Sequence, residues 1–132
     1  MTERDFQVKI QILAIDDNPD IRDLVAVILT KRGHEVDMAQ DGMEGLKMAH
    51  TKQYDIIISD IDMPIMNGIE FYKRLIKTMP FMKQRVLFIT GNKDREVDAF
   101  LQEMGVRRLA KPFTPVDLLE ALHEIDTLIS HR

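Results

Sequence analysis

The stretch Tyr54–Gly68, YDIIISDIDMPIMNG, constrains the fold of this chain more than any other. Its three consecutive isoleucines, Ile56–Ile58, are β-branched and do not alternate with polar residues, which is typical of a strand buried on both faces of a parallel sheet. The turn signals Met63-Pro64 and Asn67-Gly68 then end the strand and allow a helix to begin. Asp60 is therefore predicted at the carboxyl end of a buried central strand, the edge where open α/β sheets bind ligands.

The rest of the chain repeats the same order of a short apolar strand followed by an amphipathic helix. Right-handed crossovers between such units produce a parallel sheet with helices on both faces. The second strand is the most polar and belongs at an edge, which favours the flavodoxin-like strand order 2-1-3-4-5. We therefore predict an α/β fold with a doubly wound (βα)5 parallel five-stranded sheet. The other four strands are predicted at Ile10–Ile15, Glu35–Ala39, Arg85–Thr90 and Val106–Ala110.

Local signals predict the helix ends and the buried helix faces. Asn18-Pro19 suits the N-cap and the first position of the first helix. Gly33 and Gly105 are expected to end the first and fourth helices, and Pro80 to stop the third. The segment Thr114–Asp117 is typical of a capping box for the last helix. Spacings of three and four residues predict that the first two helices bury Ile21, Leu24, Val25, Ile28 and Leu29, and then Met43, Leu46 and Ala49.

The length of 132 residues suits one domain, predicted over residues 1–132 with a core at about 10–129 after a lead-in at Met1–Lys9. No apolar run reaches the roughly 18–20 residues of a membrane helix, and the start carries no secretion signal. The absence of cysteine excludes disulfides and thiolate metal sites and suits the cytoplasm, where we expect the protein. A net charge of -4 argues against non-specific nucleic-acid binding.

Chemically active side chains stand at four of the predicted strand ends: Asp16 and Asp17, Asp60, Thr90 and Lys111. Parallel strands share one carboxyl edge, so these side chains are expected to meet. Carboxylates about 4 Å apart repel by roughly 1–4 kcal/mol, which a hard cation such as Mg²⁺ relieves. Lys111 supplies a positive charge that can hold a phosphoryl oxygen, and Thr90 adds a hydroxyl donor. The set predicts a phosphoryl site with a carboxylate nucleophile, a metal, a hydroxyl and an ammonium.

On these residues the chain resembles the receiver domains of bacterial two-component response regulators, over roughly Ile10–Ile129. The matching motifs are Asp16-Asp17, Asp60 with the following Met63-Pro64 and Asn67-Gly68, Thr90-Gly91, and Lys111-Pro112-Phe113. The resemblance implies that Asp60 is the phosphoacceptor and that Thr90 and Lys111 hold the phosphoryl group. The implied Mg²⁺ ligands are the carboxylates of Asp17 and Asp60 directly, the carboxylate of Asp16 partly through water, and the backbone carbonyl of Asp62. A cis bond is implied at Lys111–Pro112.

As such a domain, the chain would be a phosphorylation-gated signalling module rather than an enzyme. Its phosphodonor would be a sensor histidine kinase or a histidine phosphotransfer protein, and its output would go through a downstream protein target. The resemblance also allows a phosphorylation-dependent homodimer. Neither nucleic acid nor a membrane is expected as a direct partner.

Two positions depart from the usual pattern of the family. The position three residues before Lys111, usually Tyr or Phe, is Arg108, which resembles receivers attached to hybrid histidine kinases. We hypothesise that Arg107 and Arg108 replace the aromatic switch with a charge-based contact to a partner. Asp62, two residues after Asp60, adds a carboxylate that we expect beside the phosphoryl site, at a position that tunes the acyl-phosphate lifetime in the family.

Two other function classes compete with this interpretation. A haloacid-dehalogenase-type phosphatase also forms an aspartyl phosphate, and Asp60-Ile61-Asp62 imitates its Asp-x-Asp motif, but that family carries the motif on its first core strand. A flavodoxin-like flavin binder holds phosphate in the loop after the first strand, where Asp16 and Asp17 would repel it. A receiver could itself stand alone, as the polar start at Met1 suggests, or belong to a hybrid kinase or larger regulator, as Arg108 suggests.

Overall fold

The structure, a computed structural model, describes residues 9–129 and the backbone of Ser130. The predicted lead-in therefore lies outside the described residues except for Lys9, as do the last residues of the predicted domain. Within the described part of the chain, five strands alternate with five helices, and a short 3₁₀ helix, Pro80–Met82, precedes the fourth strand. No helix among these residues has the length and apolar character needed to cross a bilayer.

The five strands form one parallel sheet, as predicted. They are β1 (Gln11–Ile15), β2 (Glu35–Ala39), β3 (Ile56–Ser59), β4 (Val86–Thr90) and β5 (Arg107–Ala110). The strand order is β2-β1-β3-β4-β5, which confirms the predicted order. The isoleucine run occupies the central strand, where Ile56 pairs with Ile12 of β1 and Ile57 with Val86 of β4. Three strands, β1, β4 and β5, begin one residue later than predicted.

Helices cover both faces of the sheet. They are α1 (Pro19–Thr30), α2 (Gly42–Thr51), α3 (Gly68–Thr78), α4 (Arg95–Met104) and α5 (Pro115–Ser130). Buried side chains of α1 and α5 pack on one face, where they form a cluster with Ile12, Ile56 and Leu87. Those of α2, α3 and α4 pack on the other face with Leu13, Ile57 and Phe88. Successive residues of one strand therefore face opposite cores, which explains why the central strand needs an unbroken apolar run.

Three predicted helix signals are confirmed by their hydrogen bonds or dihedral angles. The Asn18 side chain accepts a hydrogen bond from the Asp20 N–H at 2.9 Å, at the start of α1. Gly105 ends α4 with a φ of 68°, in the left-handed region that glycine tolerates. Thr114 and Asp117 cap α5 reciprocally, because each backbone N–H donates to the side chain of the other residue.

Two side chains that were predicted to be buried are exposed: Leu24 in α1 and Met43 in α2, each at 42%. The buried residues of α1 are Val25, Ile28 and Leu29, and Leu24 lies off this face by one helical step of about 100°. Helix α2 approaches the sheet through its glycines, since a Cβ on Gly45 would lie 2.4 Å from Ile15 Cδ1. This approach turns Met43 towards solvent.

The end of α1 also differs from the prediction. The helix ends at Thr30 with Lys31 as its C-cap, and Gly33 lies beyond it in the connection to β2 with a φ of 89°. Pro80 follows the end of α3 as predicted and begins the 3₁₀ helix. Phe71 of α3, which the sequence patterns did not identify as a core residue, is fully buried.

A buried histidine links the start of β1 to the segment before β2. His34 is 4% exposed, and its Nδ1 accepts a hydrogen bond from the Ile10 N–H at 3.2 Å. Burial lowers the pKa of His34 below its usual value, an effect that Asp126 opposes and Arg32 reinforces. The neutral imidazole is therefore the form that the fold favours.

Candidate functional site

The predicted site residues meet at the carboxyl edge of the sheet. Asp16 follows β1, Asp60 follows β3, Thr90 ends β4 and Lys111 follows β5. One carboxylate oxygen from each of Asp16, Asp17 and Asp60 lies within 4.8 Å of the other two. Asp16, Asp60 and Thr90 are buried, whereas Asp17 is exposed. The strand topology therefore brings residues that are far apart in the sequence into one recess.

Each of the two buried carboxylates has one anchored oxygen and one oxygen that faces Lys111. The Asn18 N–H donates to Asp16 Oδ1 at 2.9 Å, and the Ile61 N–H donates to Asp60 Oδ1 at 2.7 Å. The Oδ2 atoms lie 3.4 Å and 3.2 Å from Lys111 Nζ, respectively. Backbone donors therefore fix the orientation of both carboxylates, and their remaining oxygens point into the recess.

The charges of the recess shift the ionisation of its members. Burial raises the pKa of Asp60, the charge of Asp16 raises it further, and Lys111 offsets part of the increase. Burial lowers the pKa of Lys111, but the Asp60 and Asp16 carboxylates raise it by more, so its pKa lies above the usual value. The single ammonium of this recess is therefore firmly charged, and it compensates only part of the negative charge around it.

A side-chain link that sequence reasoning missed joins two loops of the site. The Asn92 side chain donates to both oxygens of Asp62, at 3.1 and 3.2 Å, and the Asn92 N–H donates to Thr90 Oγ1 at 2.9 Å. We expected the Asp62 carboxylate beside the phosphoryl site, but its side chain is directed to the β4–α4 connection. The sequence pattern does not indicate this link, because the partner of Asn92 lies in another loop.

The two arginines of β5 are paired within the chain. Arg107 lies 2.8 Å from Glu124 of α5, and Arg108 lies 3.3 Å from Asp98 of α4. The position that is usually aromatic in the family thus carries a partly exposed ion pair to a neighbouring helix. The predicted contact of these arginines with a partner stays a prediction.

The carboxylate cluster fits a hard divalent cation. Oxygen ligands of an octahedral Mg²⁺ with bonds of 2.0–2.1 Å lie about 3–4 Å apart, and the three carboxylate oxygens all lie within 4.8 Å of one another. Carboxylates are the side-chain ligands that Mg²⁺ prefers, and the nearby Lys111 leaves the cluster with a net negative charge. A recess with a cation site, a buried carboxylate, a hydroxyl and an ammonium can accept and stabilise a phosphoryl group.

Comparison with known proteins decides the family. Residues 12–123 match the response regulator receiver domain. The chain belongs to this family. As a receiver domain it takes part in phosphorelay signalling, and its fold, predicted from the strand pattern, is that of the family. The cis bond that the resemblance implied is present at Lys111–Pro112.

Three relatives illustrate the range of chains that carry this domain. The receiver domain is 31% identical to protein PilH of Pseudomonas aeruginosa over 117 residues, covering 87% of this chain and 96% of PilH. It is 35% identical to the CAI-1 autoinducer sensor kinase/phosphatase CqsS of Vibrio cholerae over 98 residues, 73% of this chain but only 14% of CqsS. The solved structure of chemotaxis protein CheY4 of Vibrio cholerae superimposes with a TM-score of 0.81 at 34% identity, covering 89% of this chain and 99% of CheY4.

Proposed function

We propose that this receiver domain accepts a phosphoryl group on Asp60 from the phosphohistidine of a sensor kinase or a histidine phosphotransfer protein. The observation that carries the proposal is the state of the Asp60 carboxylate: Oδ1 is held by the Ile61 N–H, and Oδ2 faces Lys111 at 3.2 Å. This leaves Oδ2 as the nucleophile, in a recess whose ammonium can also hold a phosphoryl oxygen. Membership of the receiver family supports the class of donor.

In the transfer, Asp60 Oδ2 attacks phosphorus, the bond between phosphorus and the donor's imidazole nitrogen breaks, and a bond from Oδ2 to phosphorus forms. The leaving imidazole takes a proton from solvent. Lys111, which bridges Asp16 and Asp60 in the unphosphorylated protein, can follow the negative charge to a phosphoryl oxygen. Thr90 Oγ1 already accepts a hydrogen bond from the Asn92 N–H, so its own proton is free to be donated to another phosphoryl oxygen.

We propose that Mg²⁺ is the cofactor, held by the carboxylates of Asp16, Asp17 and Asp60 and by the backbone carbonyl of Asp62. When bound, the ion would offset the negative charge of the phosphoryl oxygens as they approach the carboxylates. The clustering of the three carboxylate oxygens supports this ligand set. The Asp62 carboxylate, bound to Asn92, would take no part.

We infer that residues 1–132 act as one receiver domain, with a core at about 10–129, in the cytoplasm. Its output would be binding: phosphorylation would change its affinity for a downstream protein or for a second copy of the domain. We propose no substrate turnover beyond self-phosphorylation and slow loss of the phosphoryl group, and no direct contact with nucleic acid or a membrane. The net charge of -4 supports the absence of nucleic-acid contact, and membership of the receiver family supports a signalling output.

A second arrangement is a receiver within a longer chain. The match to 14% of CqsS, a sensor kinase/phosphatase, supports a receiver segment of a hybrid kinase. The match to 43% of a Bacillus subtilis transcriptional regulatory protein supports a larger regulator. The phosphoacceptor chemistry at Asp60 is the same in each arrangement.

The test is the intact mass of the protein after incubation with acetyl phosphate and Mg²⁺. We expect one phosphoryl adduct that disappears in Asp60→Ala and when the Mg²⁺ is chelated. An adduct of equal yield in Asp60→Ala would contradict the assignment of the acceptor. If neither acetyl phosphate nor any phosphorylated histidine kinase modifies Asp60, the phosphoacceptor function is wrong. Steady release of phosphate from phosphomonoesters would instead favour the phosphatase.

A further inference from the structure

A strained turn lies in the loop between β3 and α3. The Met66 N–H donates to the Pro64 carbonyl at 2.7 Å, which closes a three-residue γ-turn around Ile65. The φ of Ile65 is 70°, and among the described residues it is the single residue other than glycine with a positive φ. This form of γ-turn is rare and strained, and a β-branched residue in the left-handed region is a clear outlier.

The surroundings of the turn hold it in this conformation. Met63 and Met66, on either side of the turn, are buried in the core, with exposures of 9% and 2%. The Met66 carbonyl packs so closely on Gly42 of α2 that a Cβ there would lie 2.5 Å from it. The loop is closed at its base by the Gly68 N–H, which donates to the Ile61 carbonyl at 2.8 Å. Strain of this kind persists only where neighbouring structure determines it, and it concentrates at functional sites.

The turn presents Ile65 to solvent. Ile65 is 76% exposed, more than any other large hydrophobic side chain among the described residues, compared with 61% for Val116 and 52% for Phe81. The turn therefore combines backbone strain with an exposed apolar side chain. Asn or Gly at position 65 would relieve the strain and expose less apolar surface. The backbone strain and the exposed apolar surface are both unfavourable in the free protein, and together they indicate a contact that forms only in a complex.

Ile65 lies at the rim of the recess that contains Asp60. Gly68 sits against the Asp60 backbone, because a Cβ on Gly68 would lie 2.2 Å from the Asp60 carbonyl oxygen. Ile65 precedes Gly68 by three residues, and three residues span at most about 11 Å of extended chain. The Cα of Ile65 therefore lies within about 11 Å of the Cα of Gly68, which packs on the Asp60 backbone.

The phosphodonor is the partner that must cover this rim. Asp60 is 7% exposed, so a donor histidine has to enter the recess, and the donor surface around that histidine has to press against the rim. A helix is about 10–12 Å wide, and a specific interface of about 800 Å² per partner corresponds to a patch roughly 16 Å in radius. A donor surface of that size centred on Asp60 covers Ile65.

We propose that Ile65 is a docking residue for the phosphohistidine-bearing donor, and that the γ-turn holds its side chain out to fill an apolar patch beside the donor's histidine. The proposal rests on the phosphoacceptor function of Asp60. Asp17 and Asp62 are exposed in the same loops as the recess, so basic residues are expected around the apolar patch of the donor. Ile65 touches none of the reacting atoms; it contributes to recognition and not to the chemical step.

The experiment compares two phosphodonors on Ile65→Asn and Ile65→Leu. One donor is acetyl phosphate; the other is a histidine kinase or phosphotransfer domain, phosphorylated on histidine, that is chosen because it phosphorylates the unaltered chain. Asn tolerates the left-handed region, so we expect Ile65→Asn to keep or raise Tm. Its transfer rate from phosphohistidine should fall about tenfold, with the rate from acetyl phosphate unchanged. Ile65→Leu, which keeps the apolar surface, should retain transfer to within about twofold.

Phe81→Ser is the matched control, because Phe81 is an exposed apolar residue in the 3₁₀ helix before β4, at the opposite edge of the sheet. It should leave both transfer rates unchanged. Normal phosphohistidine transfer in Ile65→Asn would overturn the proposal, and so would an equal fall with both donors, which would mean a structural effect on the acceptor. If acetyl phosphate modifies Asp60 but no phosphohistidine protein does, the donor assignment fails while the phosphoacceptor function stands. If neither acetyl phosphate nor any phosphohistidine protein modifies the unaltered chain, both proposals are refuted.

Discussion

Replacing Gly68 by alanine should damage the fold and the acceptor site together. Gly68 is the first residue of α3, and its Cα lies against the end of the central strand. A Cβ there would lie 2.2 Å from the Asp60 carbonyl oxygen, 2.9 Å from Ile61 Cα and 2.9 Å from Phe88 Cε1. The two nearest atoms belong to the backbone, so no side-chain rotation relieves the overlap. The strand end that carries Asp60 or the start of α3 has to move.

The expected change in the free energy of unfolding is the difference between two opposed effects. Alanine is favoured over glycine inside helices by about 0.5–1 kcal/mol, and by less at the first helical position. Overpacking in a rigid site costs about 1–3 kcal/mol, and contact with backbone lies at the upper end. We therefore expect Gly68→Ala to lower the free energy of unfolding by about 1–3 kcal/mol. For a domain of this size that is a fall in Tm of roughly 4–12 °C.

The assay pairs thermal unfolding with the rate of phosphorylation by acetyl phosphate. Since misplacement of a reacting group by about 1 Å can cost up to a hundredfold in rate, we expect the phosphorylation rate of Gly68→Ala to fall at least about tenfold. Gly91→Ala is the control beside the same site, because its Cβ would meet only Lys111 Cβ, at 4.0 Å. It should shift Tm by less than about 2 °C. A Gly68→Ala protein with the Tm and phosphorylation rate of the unaltered chain would refute this reasoning.

Three further predictions use other contacts. Burial lowers the pKa of His34, so its contribution to the free energy of unfolding should be constant above about pH 6.5 and should fall at lower pH by up to about 1.4 kcal/mol per pH unit. Urea titrations should find this pH dependence weakened in His34→Gln. Calorimetry should find Mg²⁺ affinity more than about tenfold weaker in Asp17→Ala but less than about threefold weaker in Asp62→Ala; equal losses would give the Asp62 side chain a ligand role. Arg108→Ala removes a partly exposed ion pair with Asp98, so Tm should stay within about 3 °C of that of the unaltered chain. A partner that prefers the phosphorylated domain should lose this preference with the variant. An unchanged preference would refute the charge-based contact.

The site could be predicted because each of its main residues is marked locally in the sequence. Asp16, Asp60 and Lys111 follow directly after short apolar runs, Thr90 ends one, and the topology of parallel strands then brings them to one edge. The orientation of their side chains was not predictable. The anchoring of one oxygen of each buried carboxylate by a backbone N–H depends on loop conformation, which no residue pattern encodes.

The features that the sequence missed depend on contacts between separate segments. The Asn92 amide binds Asp62, thirty positions away, and neither residue type requires the other. The outward turn at Ile65 contradicts local propensity, because isoleucine favours extended backbone and a buried position. Only the packing of the neighbouring methionines and glycines makes it possible. Such conflicts between local preference and observed structure are expected where a site serves a function.

The electrostatics of the recess indicate how the proposed phosphorylation of Asp60 would act on the fold. One ammonium, that of Lys111, bridges carboxylates from two different strand ends at 3.4 and 3.2 Å. A phosphoryl group on Asp60 would add negative charge on one side of this bridge. The Lys111 ammonium would then bind a phosphoryl oxygen more favourably than it bridges the two carboxylates. Lys111 directly follows β5, whose Arg107 and Arg108 are paired with α5 and α4. Among the described residues, β5 is the strand whose ion pairs reach helices on both faces of the sheet, so a displacement of Lys111 would act on both faces.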